Sequence, residues 1–349
     1  MKFQYEKVIV PVVSGRLVFA AIGLDHGHII AMCKNLEVHG GYLKWIYDEN
    51  INKAKMLKKQ FPNAKICSSA QEILCDKEVK LIISTIVPNK RAELGIEVLK
   101  AGKNYFTDKI PMTSLDQIEA VKKVLETTDK HFFVSFSKRM NNEAAFYATE
   151  LIKAGAIGRV LQILQVETHT HVANSSKTEW FYDEKMNGGL LGDFGCHLIE
   201  QHLHFSGCED TKLISSRLSN IKNDKYPNFS DYADMSLLSA NGVSGQIRVD
   251  WLAPNWINGW REDRTTIFGS EGYIELGKFY DEDGNENDMH ILNGEGEYFV
   301  KVAGKIGLPF YKDLVLDCIY DTDNSIKFSH IEAVVKLAIE AQEKAIRIK

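Results

Sequence analysis

The chain has 349 residues, of which 44% are apolar and 26% are charged, as in an ordinary globular protein. Its net charge of -5 gives no general attraction for nucleic-acid phosphates, and no apolar stretch reaches the roughly 20 residues that cross a bilayer. The length is enough for two domains, and the six cysteines contain no Cys-x-x-Cys pair. We therefore expect a cytoplasmic two-domain protein with reduced thiols that binds neither nucleic acid nor membrane.

Short apolar runs alternate with helical stretches between residues 17 and 136, which is typical of a parallel sheet covered on both faces. This pattern predicts strands at 17–22, 42–47, 64–67, 81–87, 104–107 and 132–136. Helices are predicted between them at 29–36, 51–60, 70–74, 91–101 and 115–126. Residues 1–137 are therefore expected to form an α/β Rossmann domain, a doubly wound parallel sheet that binds a dinucleotide.

After residue 138 the pattern changes to strands that follow one another through glycine-containing turns. The sequence predicts helices at 143–153, 193–204 and 330–346, and strands at 160–171, 212–221, 235–240, 245–252, 265–268, 273–276 and 289–292. Residues 138–349 are expected to form an α+β domain with a large, mostly antiparallel, open-faced sheet, which would bind the substrate and form the oligomer.

The first predicted strand leads into a turn of six residues: Gly23, Leu24, Asp25, His26, Gly27 and His28. A dinucleotide-binding fold places its phosphate turn here, where the backbone amides at the helix N-terminus attract pyrophosphate. The usual GxGxxG pattern would have glycine at 25 and 28. A carboxylate at 25 is repulsive unless it turns away or caps the helix. An ordinary strand-to-helix turn is the alternative interpretation.

The second predicted strand ends at Asp48, where an acid can accept hydrogen bonds from the adenosine ribose. An acid at this position also repels a 2'-phosphate, so that NAD is the expected cofactor and NADP is less favoured. A surface turn residue is the alternative, since Glu49 and Asn50 follow.

Three further segments fit the same picture: Asp108-Lys109-Ile110-Pro111, a glycine-rich stretch that ends in Asp193-Phe194-Gly195-Cys196-His197, and Gly269-Ser270-Glu271-Gly272. With the phosphate turn they resemble the Gfo/Idh/MocA family, named for glucose-fructose oxidoreductase, inositol dehydrogenase and a rhizopine-catabolism protein. The resemblance runs from residue 17 to the end. It implies an NAD(P)-dependent dehydrogenase that acts on a CH–OH group of a sugar, inositol or related polyol, and a homodimer or homotetramer formed through the C-terminal sheet.

The resemblance also implies the catalytic residues. Lys109 matches the lysine of the family's Glu-Lys-Pro motif, although the proline is shifted by one place, and Asp193 and His197 match its D-x-G-x-H motif. Residues four apart on a helix share a face. Oxidation of an alcohol needs a base, which is a suitable task for His197. Lys109 would stabilise the alkoxide, and Asp193 would hold a neighbouring hydroxyl.

Other residues are expected near the site with less support from the motifs. Those expected around the cofactor are Thr85, Pro88, Asn89, Arg91 and Asp108, and those expected around the substrate are Arg139, His169 and Trp180. Core packing or surface exposure explains each of the three substrate candidates as well.

Three rival functions remain open. A metal-dependent sugar isomerase or hydrolase would use His169, His171, Asp193, His197, Glu200 and His202 as ligands. We expect no metal, because Lys109 and the nucleotide-binding half would then have no explanation. A redox-assisted glycosidase or lyase that retains its NAD, and a non-catalytic NAD-binding sensor, would share the same fold.

Overall fold

The computed structural model describes residues 16–170, 178–254 and 261–348, and these form two compact units. The first unit contains the described residues up to Ser135 together with Pro309–Glu332. The second unit contains the described residues from Phe136 to Leu308 and those from Ala333 onward. The sequence predicts a single boundary near residue 137. The structure differs from this prediction, because Pro309–Glu332 also belongs to the first unit.

The first unit is built on a six-stranded parallel sheet. Its strands are β1 (Leu17–Ile22), β2 (Gly41–Tyr47), β3 (Lys65–Ile66), β4 (Leu81–Ser84), β5 (Asn104–Asp108) and β6 (Phe132–Ser135). Its helices are α1 (His28–Val38), α2 (Ile51–Gln60), α3 (Ala70–Cys75), α4 (Pro88–Lys100) and α5 (Leu115–Leu125). The strand order β3-β2-β1-β4-β5-β6 reverses between β1 and β4, where such sheets bind nucleotides. The predicted doubly wound Rossmann fold is confirmed.

The fourth strand is shorter than the sequence predicts. It ends at Ser84 instead of residue 87, because Pro88 takes the first position of α4. Proline suits that position, since its missing N–H would have no partner in the helix and its fixed φ is already helical. All four residues of β4 are buried, as expected for a central parallel strand.

The second unit is built on a nine-stranded mixed sheet. Its strands are β7 (Val160–Thr170), β8 (Thr211–Ser219), β9 (Tyr232–Ser239), β10 (Ser244–Ala253), β11 (Arg261–Gly269), β12 (Gly272–Tyr280), β13 (Glu286–Asn293), β14 (Gly296–Val300) and β15 (Ile346–Ile348). The order is β14-β13-β12-β11-β7-β10-β9-β8-β15, and the pairs β7–β10 and β8–β15 are parallel while the others are antiparallel. The predicted α+β domain with a mostly antiparallel sheet is confirmed.

Helices cover part of this sheet. They are α6 (Ser137–Met140), α7 (Glu143–Lys153), α8 (Glu184–Asn187) and α9 (Cys196–Ser206). Helix α9 packs against β7 and β10, and α7 packs against β12. Alternate residues of β7 therefore face helices, which places Gln165, Glu167 and His169 inside the unit.

The C-terminal segment Pro309–Glu332, which belongs to the first unit, begins with α10 (Pro309–Tyr320). The sequence did not predict this helix. Helix α11 (Phe328–Glu343) follows it. Helix α10 contacts α1 and β1, and Tyr311 is fully buried with its ring 6.1 Å from the ring of Phe106. The apolar side of α10 thus finds its partner in the first unit. Helix α11 ends at Glu343 instead of continuing to residue 346, because Ile346–Ile348 pairs with β8.

Within the described ranges, no helix combines the length and the apolarity needed to cross a bilayer.

Candidate functional site

The turn after β1 has the two glycines that a phosphate turn needs. Gly23 has φ +74°, and a Cβ there would lie 2.8 Å from the Cβ of Ile86, so that only glycine fits without strain. Gly27 caps the N-terminus of α1, and a Cβ there would meet nothing within 4 Å. The turn is tight at its start and open at the helix N-terminus. This open space at the positive end of the α1 dipole fits a pyrophosphate.

Asp25, the residue that departs from the glycine pattern, has its charge compensated. One carboxylate oxygen contacts the ammonium of Lys53 on α2, and the other accepts a hydrogen bond from the backbone N–H of Val87 at 3.1 Å. The ion pair offsets the repulsion that a lone carboxylate would exert on a phosphate. The sequence did not point to Lys53, because nothing in a turn motif names a partner on the next helix.

Asp48 is joined to the phosphate turn. Its Oδ2 accepts a hydrogen bond from the N–H of Leu24 at 2.7 Å, and its Oδ1 accepts one from the N–H of Asn50 at 2.8 Å. Each carboxylate oxygen can accept a second hydrogen bond, so these contacts leave capacity for ribose hydroxyls. The acid is thus fixed beside the turn by backbone contacts.

His26 and His28 of the turn meet the end of β5 at Asp108. The Nδ1 of His28 lies 3.1 Å from each oxygen of Asp108, and the Nδ1 of His26 lies 3.6 Å from one of them. The guanidinium of Arg91 is 3.7 Å from the same carboxylate. Burial alone would raise the pKa of Asp108, but the charges of His28, Arg91 and His26 hold that pKa well below its ordinary value.

Arg91 fixes the loop that carries Lys109. Its side chain is almost completely buried, its Nε donates to the carbonyl of Ile86 at 2.7 Å, and its guanidinium donates to the carbonyls of Lys109 and Ile110. Lys109 itself is 5% exposed. These contacts hold the backbone of Lys109 in place. A direct contact of Arg91 with the cofactor stays a prediction.

Three other predicted cofactor residues lie between β4 and α4. Thr85 exchanges hydrogen bonds with the backbone of His26, donating at 3.0 Å and accepting at 3.4 Å. Pro88 begins α4, and Asn89 follows it. The Oδ1 of Asn89 is buried and accepts no hydrogen bond from the described residues. A buried acceptor of this kind fits a ligand donor.

In the second unit, Asp193 and His197 lie at the start of α9. Asp193 belongs to a π-helical turn, Leu191–Gly195, and not to the α-helix that the sequence predicts there. Such turns within helices are frequent at functional sites. Asp193 is partly exposed, and His197 is 3% exposed with its ring 6.4 Å from the ring of Phe136.

The predicted substrate residues of this unit have distinct surroundings. Arg139 on α6 binds the fully buried Glu200 of α9, with its Nε 2.7 Å from Glu200 Oε1. His169 on β7 is buried, and its ring centroid lies 4.3 Å from that of Phe194. Trp180 lies in a short 3-10 helix, Glu179–Tyr182, and is half-buried. None of these contacts tests a role toward the substrate, so each stays a prediction.

A cluster of charged residues that the sequence did not indicate surrounds His169. The Nε2 of His169 is 2.8 Å from Oε1 of Glu167, which is also 2.8 Å from the ammonium of Lys138. The same ammonium contacts the carboxylate of Asp263. Glu167 could have been noticed from the alternation of β7, where it falls at an inward position between two other polar residues, Gln165 and His169.

Among the described residues, two groups have ligand atoms close enough for one metal ion: His26 with His28 and Asp108, and Glu167 with His169 and Asp263. A cationic side chain already contacts a carboxylate of each group, Arg91 in the first and Lys138 in the second. Neither group contains three members of the ligand set predicted for the metal-dependent enzyme, as far as the described residues go. His202 binds Ser239, Glu200 binds Arg139, and His171 lies outside the described residues.

Comparisons with known proteins agree with this architecture. A model described as an oxidoreductase family with an NAD-binding Rossmann fold matches residues 20–136, and one described as a GFO/IDH/MocA C-terminal domain matches residues 147–275. An oxidoreductase structure from Erwinia carotovora atroseptica SCRI1043 is 36% identical, with a TM-score of 0.91 over 96% of this chain and 100% of that chain.

More distant relatives carry specific names. A levoglucosan dehydrogenase in complex with NADH and levoglucosan is 18% identical, with a TM-score of 0.80 over 95% of this chain and 97% of that chain, which shows the shared fold. The scyllo-inositol 2-dehydrogenase (NADP(+)) of Bacillus subtilis strain 168 is 24% identical over 60% of this chain and 62% of that protein. The chain spans less than two thirds of the length of the first curated relatives that it matches.

Proposed function

Because the chain belongs to the Gfo/Idh/MocA family of NAD-binding oxidoreductases, we propose that it is a dehydrogenase that transfers a hydride between a secondary hydroxyl of a sugar, inositol or related polyol and a nicotinamide. The observation that carries this proposal is the buried Lys109, which follows β5 at the point where Asp108 contacts the phosphate turn. A buried lysine beside a nucleotide-binding turn suits a catalytic cation better than a structural one. The sugar and inositol dehydrogenases among its relatives support the substrate class.

The cofactor would be held by the first unit. The amides at the start of α1 and the open space at Gly27 suit the pyrophosphate, and Asp48 suits the ribose hydroxyls. Asp48 would also repel a 2'-phosphate, so that we propose NAD over NADP. When bound, the nicotinamide accepts or returns the hydride.

The proton would be handled by the chain itself. We assign His197 as the base that takes the proton of the reacting hydroxyl during oxidation and returns it during reduction. The ammonium of Lys109 would stabilise the alkoxide as it forms, which a fixed cation does strongly in a site that excludes water. Asp193 would accept a hydrogen bond from a neighbouring hydroxyl and so orient the substrate.

The experiment follows the reduced nicotinamide by its absorbance. The purified protein is incubated with NAD and, separately, NADP, across a panel of inositols, sugars and sugar acids. Lys109→Ala and His197→Ala are the test variants, and the exposed Lys100→Ala is the matched control. We expect steady NADH formation with one substrate class, a loss of about 100-fold or more in both test variants, and no loss in the control.

The alternative functions predict a different result. Tight NAD binding without net reduction on any member of the panel would contradict the dehydrogenase and favour a redox-assisted lyase or glycosidase, or a sensor. A preparation that loses activity on removal of divalent metals would instead favour the metal-dependent enzyme.

A further inference from the structure

The charged residues around His169 form a group, centred on a buried carboxylate, that the proposed mechanism does not use. We call Lys138, Glu167, His169 and Asp263 the Glu167 cluster. Glu167 is 1% exposed and lies on β7, two residues before His169 on the same inward face. A buried carboxylate is costly unless its partners compensate for the lost hydration, so a cluster of this kind calls for an explanation.

Glu167 is present as a carboxylate. Burial would raise its pKa, but the charge of Lys138 and the hydrogen bond from His169, with further contributions from the charges of His169 and His197, lower that pKa below its ordinary value. A carboxylate can only accept hydrogen bonds. The 2.8 Å contact therefore requires that the Nε2 of His169 carries the proton, which makes Nδ1 the acceptor nitrogen whenever this imidazole is neutral.

The groups around Glu167 come from four elements. His169 lies on β7 itself, Lys138 comes from α6, Asp263 from β11, and the charge of His197 acts from α9. Both basic residues of α6 are engaged with acids, since Lys138 binds Glu167 and Asp263 while Arg139 binds Glu200. Neither cation is thus available to pair with a carboxylate of a substrate without giving up a buried partner.

We propose that Glu167 is a positioning residue that fixes His169 with Nδ1 as an acceptor for a substrate hydroxyl, and that the paired cations of α6 favour uncharged polyols over sugar acids. This inference rests on the proposed dehydrogenase and narrows its substrate class. A vicinal hydroxyl, which is a good donor and carries no charge, is the chemical group that such an acceptor recognises.

Glu167→Gln is the central variant, and Glu150→Gln on the exposed side of α7 is the matched control. The variant removes a negative charge that interacts with His197, the proposed base, and the loss of such a charge favours the neutral form of the base. The acid limb of the kcat/KM profile for an uncharged polyol should therefore move to lower pH by about one unit. KM should rise about 10-fold because His169 loses its fixed orientation. Glu167→Asp, which keeps the charge but shortens its reach, should restore the pH limb and leave KM high.

A second measurement does not depend on turnover. Nitrogen-15 NMR of the histidine rings, assigned with His169→Gln, should show the Nε2–H form of His169 in the wild type and a mixture of both forms in Glu167→Gln. The positioning role is overturned if the tautomer of His169 and the pH profile are the same in wild type and Glu167→Gln. The substrate preference is overturned if the wild type oxidises sugar acids in preference to the matching uncharged polyols.

The two proposals can fail separately. If NAD binds but nothing on the panel is oxidised, the proposed function fails, and the NMR comparison still decides whether Glu167 positions His169.

Discussion

Two residues of the phosphate turn are glycine for different physical reasons. Gly23 has a positive φ and lies against Ile86, whereas Gly27 has an ordinary helical φ and open space in front of it. We expect Gly23→Ala to lower the free energy of unfolding by about 1–3 kcal/mol. Gly27→Ala should leave stability unchanged and weaken NAD binding, because its methyl group fills the space proposed for the pyrophosphate. Urea denaturation and calorimetric NAD titration measure the two effects. Wild-type NAD affinity in Gly27→Ala would contradict the proposed cofactor position.

The ion pair of Asp25 and Lys53 gives a second test at this scale. Lys53→Met leaves the carboxylate of Asp25 uncompensated in the turn, and we expect NAD to bind about 10-fold more weakly, which corresponds to about 1.4 kcal/mol. Asp25→Asn in the same chain removes the repulsion and should restore most of the affinity. Lys59→Met, on the exposed part of α2, is the control. A double variant that binds as weakly as Lys53→Met would show that Lys53 contacts the cofactor directly.

At the residue scale, the sequence predicts what sits in motifs and misses what pairs across the fold. Gly23 and Asp48 could be predicted because strand ends in a doubly wound sheet converge by topology, and Lys109 because it matches a motif of the family that the chain resembles. Lys53 could not, since the compensation of Asp25 depends on the contact between a turn and the next helix. Glu167 lies between these cases, because the alternation of β7 marks it as inward-facing but not as a partner of Lys138.

Helix α9 is tied to its sheet by a buried histidine with an unusual pKa. His202 is fully buried, its Nε2 lies 3.0 Å from Ser239 Oγ, and Gly245 leaves room for its ring. Burial lowers its pKa from 6.5 to about 4. Between pH 6.5 and about pH 4, His202 binds a proton in the unfolded chain but not in the folded chain. The stabilisation is therefore complete above pH 6.5 and is lost as the pH falls toward 4.

This predicts a measurable loss of stability in mild acid. Between about pH 7 and about pH 5, His202 should reduce the free energy of unfolding by about 2 kcal/mol. His202→Met cannot bind this proton, so its free energy of unfolding should fall by about 2 kcal/mol less over the same pH interval. The hydroxyl of Ser239 keeps a partner in the variant, because it also bonds Thr211. Urea denaturation of both proteins at the two pH values gives the difference. Equal losses in wild type and variant would mean that His202 is protonated in the folded state.

At the scale of elements, the sequence predicts segments with a regular apolar period well, and it predicts poorly the segments that pack against elements distant in the chain. Strand β1 and helices α2 and α7 have the predicted bounds, because their apolar periods are unbroken. Helix α10 and strand β15 were missed. Both depend on partners far along the chain, since α10 buries its apolar side against α1 and β1, and β15 adds to the edge of the nine-stranded sheet beside β8. A local pattern does not contain that information.

At the scale of the whole molecule, the nine-stranded sheet keeps one face rich in exposed side chains. The cross-strand row of Arg264, Val166, Arg248, Asp234 and Arg217 runs over β11, β7, β10, β9 and β8, and every member is at least 33% exposed. Leu238, Leu292 and Phe299 are 37–44% exposed. An antiparallel sheet can face water on one side, but exposed apolar residues of this size among charged ones are typical of an interface.

We propose that this face joins two copies of the chain, as the family resemblance implies. Val166→Arg places a third cation between Arg264 and Arg248 and removes an apolar side chain, so two such faces should repel each other. We expect the wild type to sediment as a dimer or tetramer at micromolar concentration and Val166→Arg to sediment as smaller species with the same circular dichroism spectrum. Leu115→Arg replaces a similarly exposed apolar residue on α5 and should leave the assembly intact. A wild type that is monomeric, or a Val166→Arg variant that assembles like the wild type, would contradict the use of this face.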